Sequence, residues 1–442
     1  MRAEVAVSRQ PSVGSGRQNP SSARKQSATI PSPRTVPASA QPGNMRRVAV
    51  VSHPDCLVHL SVVPFAMREH LRDSPARLNS VLQSLRELGA KVPLSWFTTQ
   101  EDIAPLKESD LLAVHSSAYV QRCEQIESAL AGPSDLMALD SGAETFIGHG
   151  SINAARGAAA SVCQAVDLVM DPNHEASVAF CAVRPPGHHA GFEGEVVPKS
   201  VQSLPKPVGC KNARGLHAGQ GFCIFNSCAI GAQHAHDTWG VERVAVIDFD
   251  VHHGNGTEDV LRGKEWVLCA SIHGVDHTFY PFSGLEKAAE GVVNVPIRKR
   301  SSSFQFVKPF REVLLPVVRE FNPQLIIVAA GFDAHQDDPL GNQSLSYNDF
   351  FEMTSQIVLL ARECCEGRIV SVLEGGYKSD DLAKCVTEHV KALAGAQIDE
   401  HQTRGSVRPM YAQPESSPES SPETSDERPM SSRFGSKRPR DG

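Results

Sequence analysis

Short runs of consecutive hydrophobic residues recur along the middle of the chain and indicate strands. Most runs are rich in β-branched residues and continuously hydrophobic rather than alternating with polar residues. This pattern is typical of strands covered on both faces, as in a parallel sheet. We expect strands at 47–53, 177–183, 243–250, 266–274, 324–333 and 368–377.

Segments with hydrophobic residues at helical spacing lie between these runs. They cover 151–170, 303–321 and 346–364, and Ser151 is the expected N-cap of the first. Because strands and helices alternate, the sequence predicts an α/β domain with one mostly parallel sheet.

The two ends of the chain differ from the middle in composition. Residues 1–44 are basic and rich in Ser and Pro, whereas residues 398–442 are rich in Ser, Pro and Glu with a basic end. Neither end has enough hydrophobic residues to offset chain entropy, so we predict two disordered tails around a domain at 45–397. Of the net charge of −7, the tails account for +5 and −1, which leaves −11 for the domain. This charge argues against direct nucleic-acid binding and suits a cationic partner, such as a Lys-rich peptide.

Cysteine usage and targeting signals bear on the compartment. The 11 cysteines include no Cys-x-x-Cys pair, which favours reduced thiols in an intracellular protein. No run of about 18 hydrophobic residues occurs, so no membrane span is expected. Residues 1–44 resemble an organelle transit peptide, and the SKRPR run near the C-terminus resembles a nuclear address. Nucleus, cytoplasm and an organelle therefore all stay open.

Polar clusters follow four of the predicted strands at their carboxyl ends. The sequences are RPPGHH after 177–183, DFDVHH closing 243–250, GFDAHQDD closing 324–333 and EGGY closing 368–377. In open α/β sheets, ligands bind outside the carboxyl ends of the strands. We therefore expect the four clusters to converge on one site.

Three side chains of these clusters have the chemistry of metal ligands. Asp250 and His252 are separated by one residue, so they point the same way at a strand end, and Asp333 comes from another strand end. Three ligands with an open position are typical of a catalytic zinc site. The same donors also accept Fe²⁺, Co²⁺ or Mn²⁺.

Two histidines and a tyrosine are candidates for proton transfer and hydrogen bonding. His188 and His189 follow a Pro-Pro-Gly turn, and histidine serves as acid and base near neutral pH. Asp248 is suited to set the tautomer of one imidazole. Tyr377, after two glycines, is a candidate donor to a carbonyl or oxyanion.

The motifs RPPGHHA, GFCIFN, VIDFDVHHGNGT, GFDAHQDDPLG and LEGGY resemble, in order and spacing, those of the classical zinc-dependent histone (lysine) deacetylases. The similarity is closest to their class II branch and covers roughly residues 50–395. It implies the arginase-like fold, with a parallel sheet of about eight strands flanked by helices. It also implies hydrolysis of an N-acetyl-lysine amide to lysine and acetate.

Carried over by position, the resemblance makes the Asp-His-Asp set the zinc ligands. It makes His189 the general base and then the acid. His188 stabilises charge with Asp248 beside it, and Tyr377 polarises the acetyl carbonyl. Asn255 stands where some members have an Asp that faces the second histidine.

The resemblance also implies a tunnel for the lysine stem. Phe222, next to Gly221, and Tyr280 form its walls. Leu340 lies at its rim, where relatives that act on acetylpolyamines have a Glu. Glu144 lies near the place where relatives use an Asp to hold the substrate backbone, although the local pattern differs.

The resemblance implies a structural K⁺ ion and acetylated partners. Main-chain oxygens around Asp248, Asp250 and His252, with Ser271, would hold the ion. The expected substrates are histone tails or other acetylated proteins, and a corepressor-type complex is compatible with the family.

A long insertion distinguishes this chain from the family, and three alternative functions stay open. Relatives have few residues where this chain has the Gly- and Pro-rich segment 191–220, which we interpret as a loop near the tunnel mouth. The alternatives are a deacetylase of acetylpolyamines, a deacylase of longer chains and a catalytically silent acyl-lysine-binding scaffold. The last is disfavoured because Tyr377 and the full ligand set are present.

Overall fold

The hydrophobic runs form the strands of one parallel sheet. The computed structural model describes residues 45–64, 67, 71–197, 219–276, 279–285 and 289–396, which all lie within one compact unit. The strands are β1 (Val48–Val51), β2 (Leu94–Phe97), β3 (Met137–Ala138), β4 (Phe146–Ile147), β5 (Val178–Cys181), β6 (Val244–Asp248), β7 (Val267–Val275), β8 (Val292–Arg298), β9 (Leu325–Ala330) and β10 (Ile369–Leu373). Eight of them pair in the order β2-β1-β5-β10-β9-β6-β7-β8, and each neighbouring pair is parallel. Strands β3 and β4 form a separate antiparallel pair.

Helices between the strands flank this sheet. The α-helices are α1 (Pro75–Leu88), α2 (Glu108–Leu112), α3 (Ser117–Ser128), α4 (Ser151–Met170), α5 (Ser227–Trp239), α6 (Asn255–Leu261), α7 (Ser303–Pro309), α8 (Leu315–Phe321), α9 (Tyr347–Cys364) and α10 (Ser379–Leu393). A 3-10 helix covers Pro54–Leu57, and a π-helical turn covers Phe310–Leu314. The single mostly parallel sheet with flanking helices confirms the predicted fold class.

The strand order explains how distant motifs meet. The four strands that carry the polar clusters, β5, β10, β9 and β6, are consecutive neighbours in the sheet. All their residues are buried, which agrees with their continuous hydrophobic pattern. Because the strands are parallel, their carboxyl ends lie along one edge, and the four clusters extend from it.

The edge strands and two helix details differ from the sequence predictions. Strands β2 and β8 were not predicted, because each is only partly buried and lacks a continuous hydrophobic run. The N-cap of α4 is Gly150, with φ of +79°, and Ser151 is the first helical residue. The predicted helix 303–321 divides into α7, the π-helical turn and α8, since Pro309 and Pro316 lack the N–H that a continuous helix needs.

Some predictions fall on residues that the structure does not describe. These are the two tails, 1–44 and 398–442, and residues 198–218 of the loop at 191–220. In the part of the chain that is described, no helix has the length and hydrophobicity needed to cross a membrane.

Candidate active site

Asp250, His252 and Asp333 meet at the carboxyl ends of β6 and β9. All three are buried, and one donor atom from each lies within 4.8 Å of the other two. His252 Nδ1 is 3.2 Å from Asp250 Oδ1 and 3.0 Å from Asp333 Oδ2. The structure therefore brings together the three predicted metal ligands.

Backbone amides hold the two carboxylates of this group in place. Asp250 Oδ2 accepts a hydrogen bond from Gly375 N–H at 2.9 Å, and Asp250 Oδ1 accepts one from His252 N–H at 2.9 Å. Asp333 Oδ1 accepts from Val251 N–H at 2.9 Å. These bonds fix the carboxylate planes, as partners of metal ligands commonly do.

The group fits a divalent cation in both shape and charge. A Cβ atom at Gly331 would lie 1.9 Å from Asp250 Oδ2. A Cβ atom at Gly375 would lie 2.4 Å from an oxygen of each aspartate. Glycine at both positions therefore leaves room for the two carboxylates. Burial and the neighbouring Asp250 carboxylate raise the pKa of Asp333 to about 7. A bound cation would relieve this repulsion between two buried carboxylates.

His188 lies beside this group and is held by a carboxylate. Its Nδ1 is 3.0 Å from Asp248 Oδ2, and its Nε2 is 3.8 Å from Asp250 Oδ2. Burial alone lowers the pKa of His188, but the carboxylates of Asp250 and Asp248 outweigh burial and raise it to about 10. The backbone of Gly187 allows this placement, since a Cβ there would lie 2.5 Å from the Phe225 carbonyl oxygen.

His189 has a neutral partner and the opposite pKa shift. Its Nδ1 is 2.8 Å from Asn255 Oδ1, which can only accept, so Nδ1 carries the proton and Nε2 is free to act as a base. Burial lowers the pKa of His189 well below its usual value, and His188 lowers it further. Gly221 has φ of +52° and leaves space for the His189 ring, because a Cβ atom at position 221 would lie 2.3 Å from His189 Cδ2. Burial and neighbouring charges thus shift the pKa values of the two imidazoles in opposite directions.

Tyr377 enters the site on the loop after β10. Its backbone N–H donates to Asp338 Oδ2 at 2.7 Å, and its ring packs edge-to-face on Phe222 with centroids 5.4 Å apart. Burial raises the pKa of Tyr377 well above its usual value, so the phenol keeps its proton and can donate it in a hydrogen bond.

Tyr280 lies beside His189, and Phe222 lies beside Tyr377. The Tyr280 ring packs edge-to-face on His189 with centroids 4.8 Å apart, and its hydroxyl donates to the Gly219 carbonyl at 2.8 Å. Phe222 has φ of +68°, and its N–H donates to Thr145 Oγ1 at 3.0 Å. Both aromatic rings thereby gain fixed positions next to the reacting groups.

Glu144 lies near Gly219, and Leu340 lies near Asp338 on the segment that follows Asp333. The Glu144 N–H donates to Asp140 Oδ1 at 3.0 Å. The Glu144 carboxylate lies near Gly219, because a Cβ atom at position 219 would be 2.6 Å from Glu144 Oε2. Leu340 is half-buried, and its N–H donates at 2.8 Å to Asp338, the residue that also holds Tyr377. Their contacts with a substrate remain predictions.

Ser271 lies beside Asp248 in the paired strands β7 and β6 and is buried. Its hydroxyl is 2.8 Å from His273 Nδ1. The predicted K⁺ site at these residues stays a prediction.

Two functional residues were missed by the sequence reasoning. Arg77 donates to the carbonyls of Glu374 and Gly376 at 2.5 Å each, and its guanidinium lies 4.8 Å from the Tyr377 ring centroid. Glu374 accepts from the Gly187 N–H at 2.7 Å and thus ties the Tyr377 loop to the histidine turn. The available signals were the Pro-x-Arg sequence at 75–77 and the Glu of EGGY, and neither indicates partners 187 to 299 positions away.

Comparison with known proteins identifies the family. Residues 71–393 match the histone deacetylase domain. The type-2 histone deacetylase 2 of Dictyostelium discoideum is 33% identical over 82% of this chain, but the chain spans only 22% of that protein. The polyamine deacetylase HDAC10 of Homo sapiens is 32% identical over 73% of this chain and 44% of that protein. The crystal structure of the HDA15 HD domain superposes with a TM-score of 0.62 at 26% identity, over 79% of this chain and 89% of that one.

The chain belongs to the histone deacetylase family and is class II-like. This family membership agrees with the arginase-like deacetylase fold and with the resemblance found in the sequence.

Proposed function

We propose that this chain is a zinc-dependent hydrolase that removes acetyl groups from N-acetyl-lysine side chains of proteins or peptides. The observation that carries the proposal is the buried Asp250, His252 and Asp333 group beside two imidazoles of opposite pKa shift. Amide hydrolysis requires a polarised carbonyl, a base for water and an acid for the leaving amine. The residues around this group offer each of these functions.

Each side chain has one part in the proposed reaction. A divalent ion held by the three ligands would polarise the acetyl carbonyl and lower the pKa of water. His189 Nε2 accepts the proton of the attacking water and later gives it to the leaving lysine amine. His188 stays protonated beside Asp248 and stabilises negative charge. The Tyr377 hydroxyl donates a hydrogen bond to the carbonyl oxygen as charge develops there.

The neighbours of the site support an acyl-lysine substrate. Phe222 and Tyr280 would enclose the four methylenes of a lysine stem, and apolar walls exclude water from the reacting atoms. Glu144 would accept a hydrogen bond from the substrate backbone at the rim. The negative charge of the domain would attract Lys-rich segments such as histone tails.

A second candidate is deacetylation of small acetylated polyamines, and similarity to a polyamine deacetylase favours it. A carboxylate at the rim would attract the second ammonium of a polyamine. Leu340 has no charge, and we therefore place the polyamine second and a deacylase of longer chains third.

We also propose zinc over Fe²⁺, Co²⁺ or Mn²⁺, with a structural K⁺ near Asp248 and Ser271. Acetylated histone or non-histone proteins would be the partners, within a corepressor-type complex. The proposed locations are the nucleus and the cytoplasm, with organelle import by residues 1–44 as an alternative. Imaging the tagged chain with and without residues 1–44 distinguishes these locations.

Turnover of a fluorogenic acetyl-lysine peptide tests the proposed activity. We expect turnover by the purified chain that a hydroxamate chelator abolishes. No turnover by folded, zinc-loaded protein would contradict the proposal.

A further inference from the structure

A second group of metal-ligating side chains lies between three helices. Asp110 of α2, Cys163 of α4 and His234 of α5 are all buried, with one donor atom from each within 4.8 Å of the other two. We call these three residues the interhelix cluster. It shares no residue with the candidate active site.

The histidine of the interhelix cluster is oriented as a metal ligand would be. His234 Nδ1 faces Asp110 Oδ2 at 2.9 Å, whereas Nε2 faces Asp167 Oδ1 at 2.8 Å. Asp167 Oδ1 also accepts from the Trp239 indole N–H at 2.7 Å, which fixes the carboxylate. A carboxylate on the outer nitrogen of a ligating imidazole is a common arrangement in metal sites.

The thiol of the interhelix cluster lies in the hydrophobic core and has no hydrogen-bond partner among the described residues. Cys163 is 8% exposed and forms none of their hydrogen bonds. By contrast, the nearby buried thiol of Cys181 donates to the Ser161 carbonyl. An imidazolium between Asp110 and Asp167 would explain the histidine alone, whereas an ion would also explain why the thiol lies within 4.8 Å of both other donors.

We propose that Asp110, Cys163 and His234 bind a second divalent transition-metal ion, of the zinc type, that joins helices α2, α4 and α5. Thiolate, imidazole and carboxylate are the donors that zinc takes in proteins, with bonds of about 2.0 to 2.3 Å. A fourth donor, such as water, would complete the tetrahedron.

Charge balance is compatible with such an ion. A divalent cation with one thiolate and one carboxylate is neutral, and Asp167 then accepts the Nε2–H bond of a neutral imidazole. Binding releases the protons of the Cys163 thiol and of His234 Nδ1 to solvent, as metal binding to such ligands does. The helices that supply the ligands already pack together, so little ordering remains for the ion to impose.

Cobalt absorption tests the proposal without any substitution. The three active-site ligands include no sulfur, so a thiolate-to-cobalt charge-transfer band indicates a cysteine ligand. Cys223 lies in a further buried group with His188 and Glu374, so loss of the band in Cys163→Ala assigns it to the interhelix cluster. We expect Co²⁺-loaded full-length protein to bind two equivalents and to show this near-ultraviolet band. Two bound equivalents without the band, or a single equivalent, would overturn the proposal.

Zinc content of variants provides the second measurement. We expect Cys163→Ala to lose one of two zinc equivalents and the cobalt band, while Asp333→Ala loses the other equivalent and keeps the band. Cys181→Ser is the matched control and keeps both, since serine retains the bond to the Ser161 carbonyl. Two bound zinc equivalents in Cys163→Ala would also overturn the proposal. If that variant does not fold, the cobalt spectrum of the unmutated protein still tests the proposal.

Discussion

The candidate active site and the interhelix cluster use similar ligands in different surroundings. Both place a buried imidazole 2.9 to 3.2 Å from a buried carboxylate, but the interhelix cluster has a thiol where the active site has a second carboxylate. The active-site group lies on loops after strands, beside His188, His189 and Tyr377. The interhelix cluster lies on helices, and the second nitrogen of its histidine is closed by Asp167.

The difference teaches that ligand chemistry alone does not define a catalytic centre. At the active site, carboxylates raise the pKa of His188, whereas burial and the neighbouring His188 lower that of His189. At the interhelix cluster, Asp110 and Asp167 orient a single imidazole and raise its pKa. We therefore expect substitutions at the first site to affect turnover and those at the second to affect metal content and stability.

The largest expected effect comes from removing an active-site ligand. Asp250→Ala and Asp333→Ala should each lose the active-site zinc and essentially all activity, because each removes one of three donors to the ion. Circular dichroism should show that both variants fold. Zinc content measured by mass spectrometry checks the ligand assignment.

The matched control for these variants is Asp337→Ala, an exposed carboxylate on the same segment as Asp333. It should keep zinc and activity. If Asp250→Ala and Asp333→Ala keep full zinc, the ligand assignment is wrong.

Tyr377→Phe should retain zinc and lower turnover by roughly 10²–10³-fold, the usual scale for one oxyanion donor. Since burial keeps the phenol protonated, its loss removes a hydrogen bond without removing a charge. Steady-state kinetics check this, with Tyr347→Phe as the control, because the Tyr347 hydroxyl binds Asp381 instead. Near-normal turnover of Tyr377→Phe would place the hydroxyl away from the carbonyl.

Leu340→Glu should shift the substrate preference from acetyl-lysine peptide toward acetylspermidine by roughly tenfold, which corresponds to about 1.4 kcal/mol. The new carboxylate would attract the second ammonium at a partly desolvated rim. Comparing kcat/KM for both substrates in both proteins measures the shift. If the unmutated protein already prefers acetylspermidine, the polyamine function replaces the protein deacetylase.

Asn255→Asp should have the smallest effect at neutral pH and should move the acid limb of the rate profile upward. A carboxylate on Nδ1 stabilises protonated His189 and raises its pKa. Because the neutral imidazole is the base, activity would then disappear at a higher pH as the solution is acidified. A kcat/KM profile checks this, and an unchanged acid limb would mean that another group controls it.

Much of the fold was predictable because the central strands are hydrophobic on both faces. The sequence indicated β5, β6, β9 and β10 and the polar clusters that follow them. The edge strands β2 and β8 were missed because partial burial leaves no continuous hydrophobic run.

The site was predictable where ligands follow strands and unpredictable where contacts are distant. Asp250 and His252 share one strand end, whereas Arg77 reaches Gly376 across 299 positions. The interhelix cluster was missed for the same reason. Its residues come from three separate helices, and only the packing of those helices brings them together.

Acetate released from an acetyl-lysine peptide tests the central claim most directly. The zinc-loaded protein should release one acetate for each lysine formed, lose this activity when a chelator removes the metal and regain it when zinc is restored. Acetate release that persists unchanged in the Asp333→Ala variant, or no release by the zinc-loaded unmutated protein, would contradict the account.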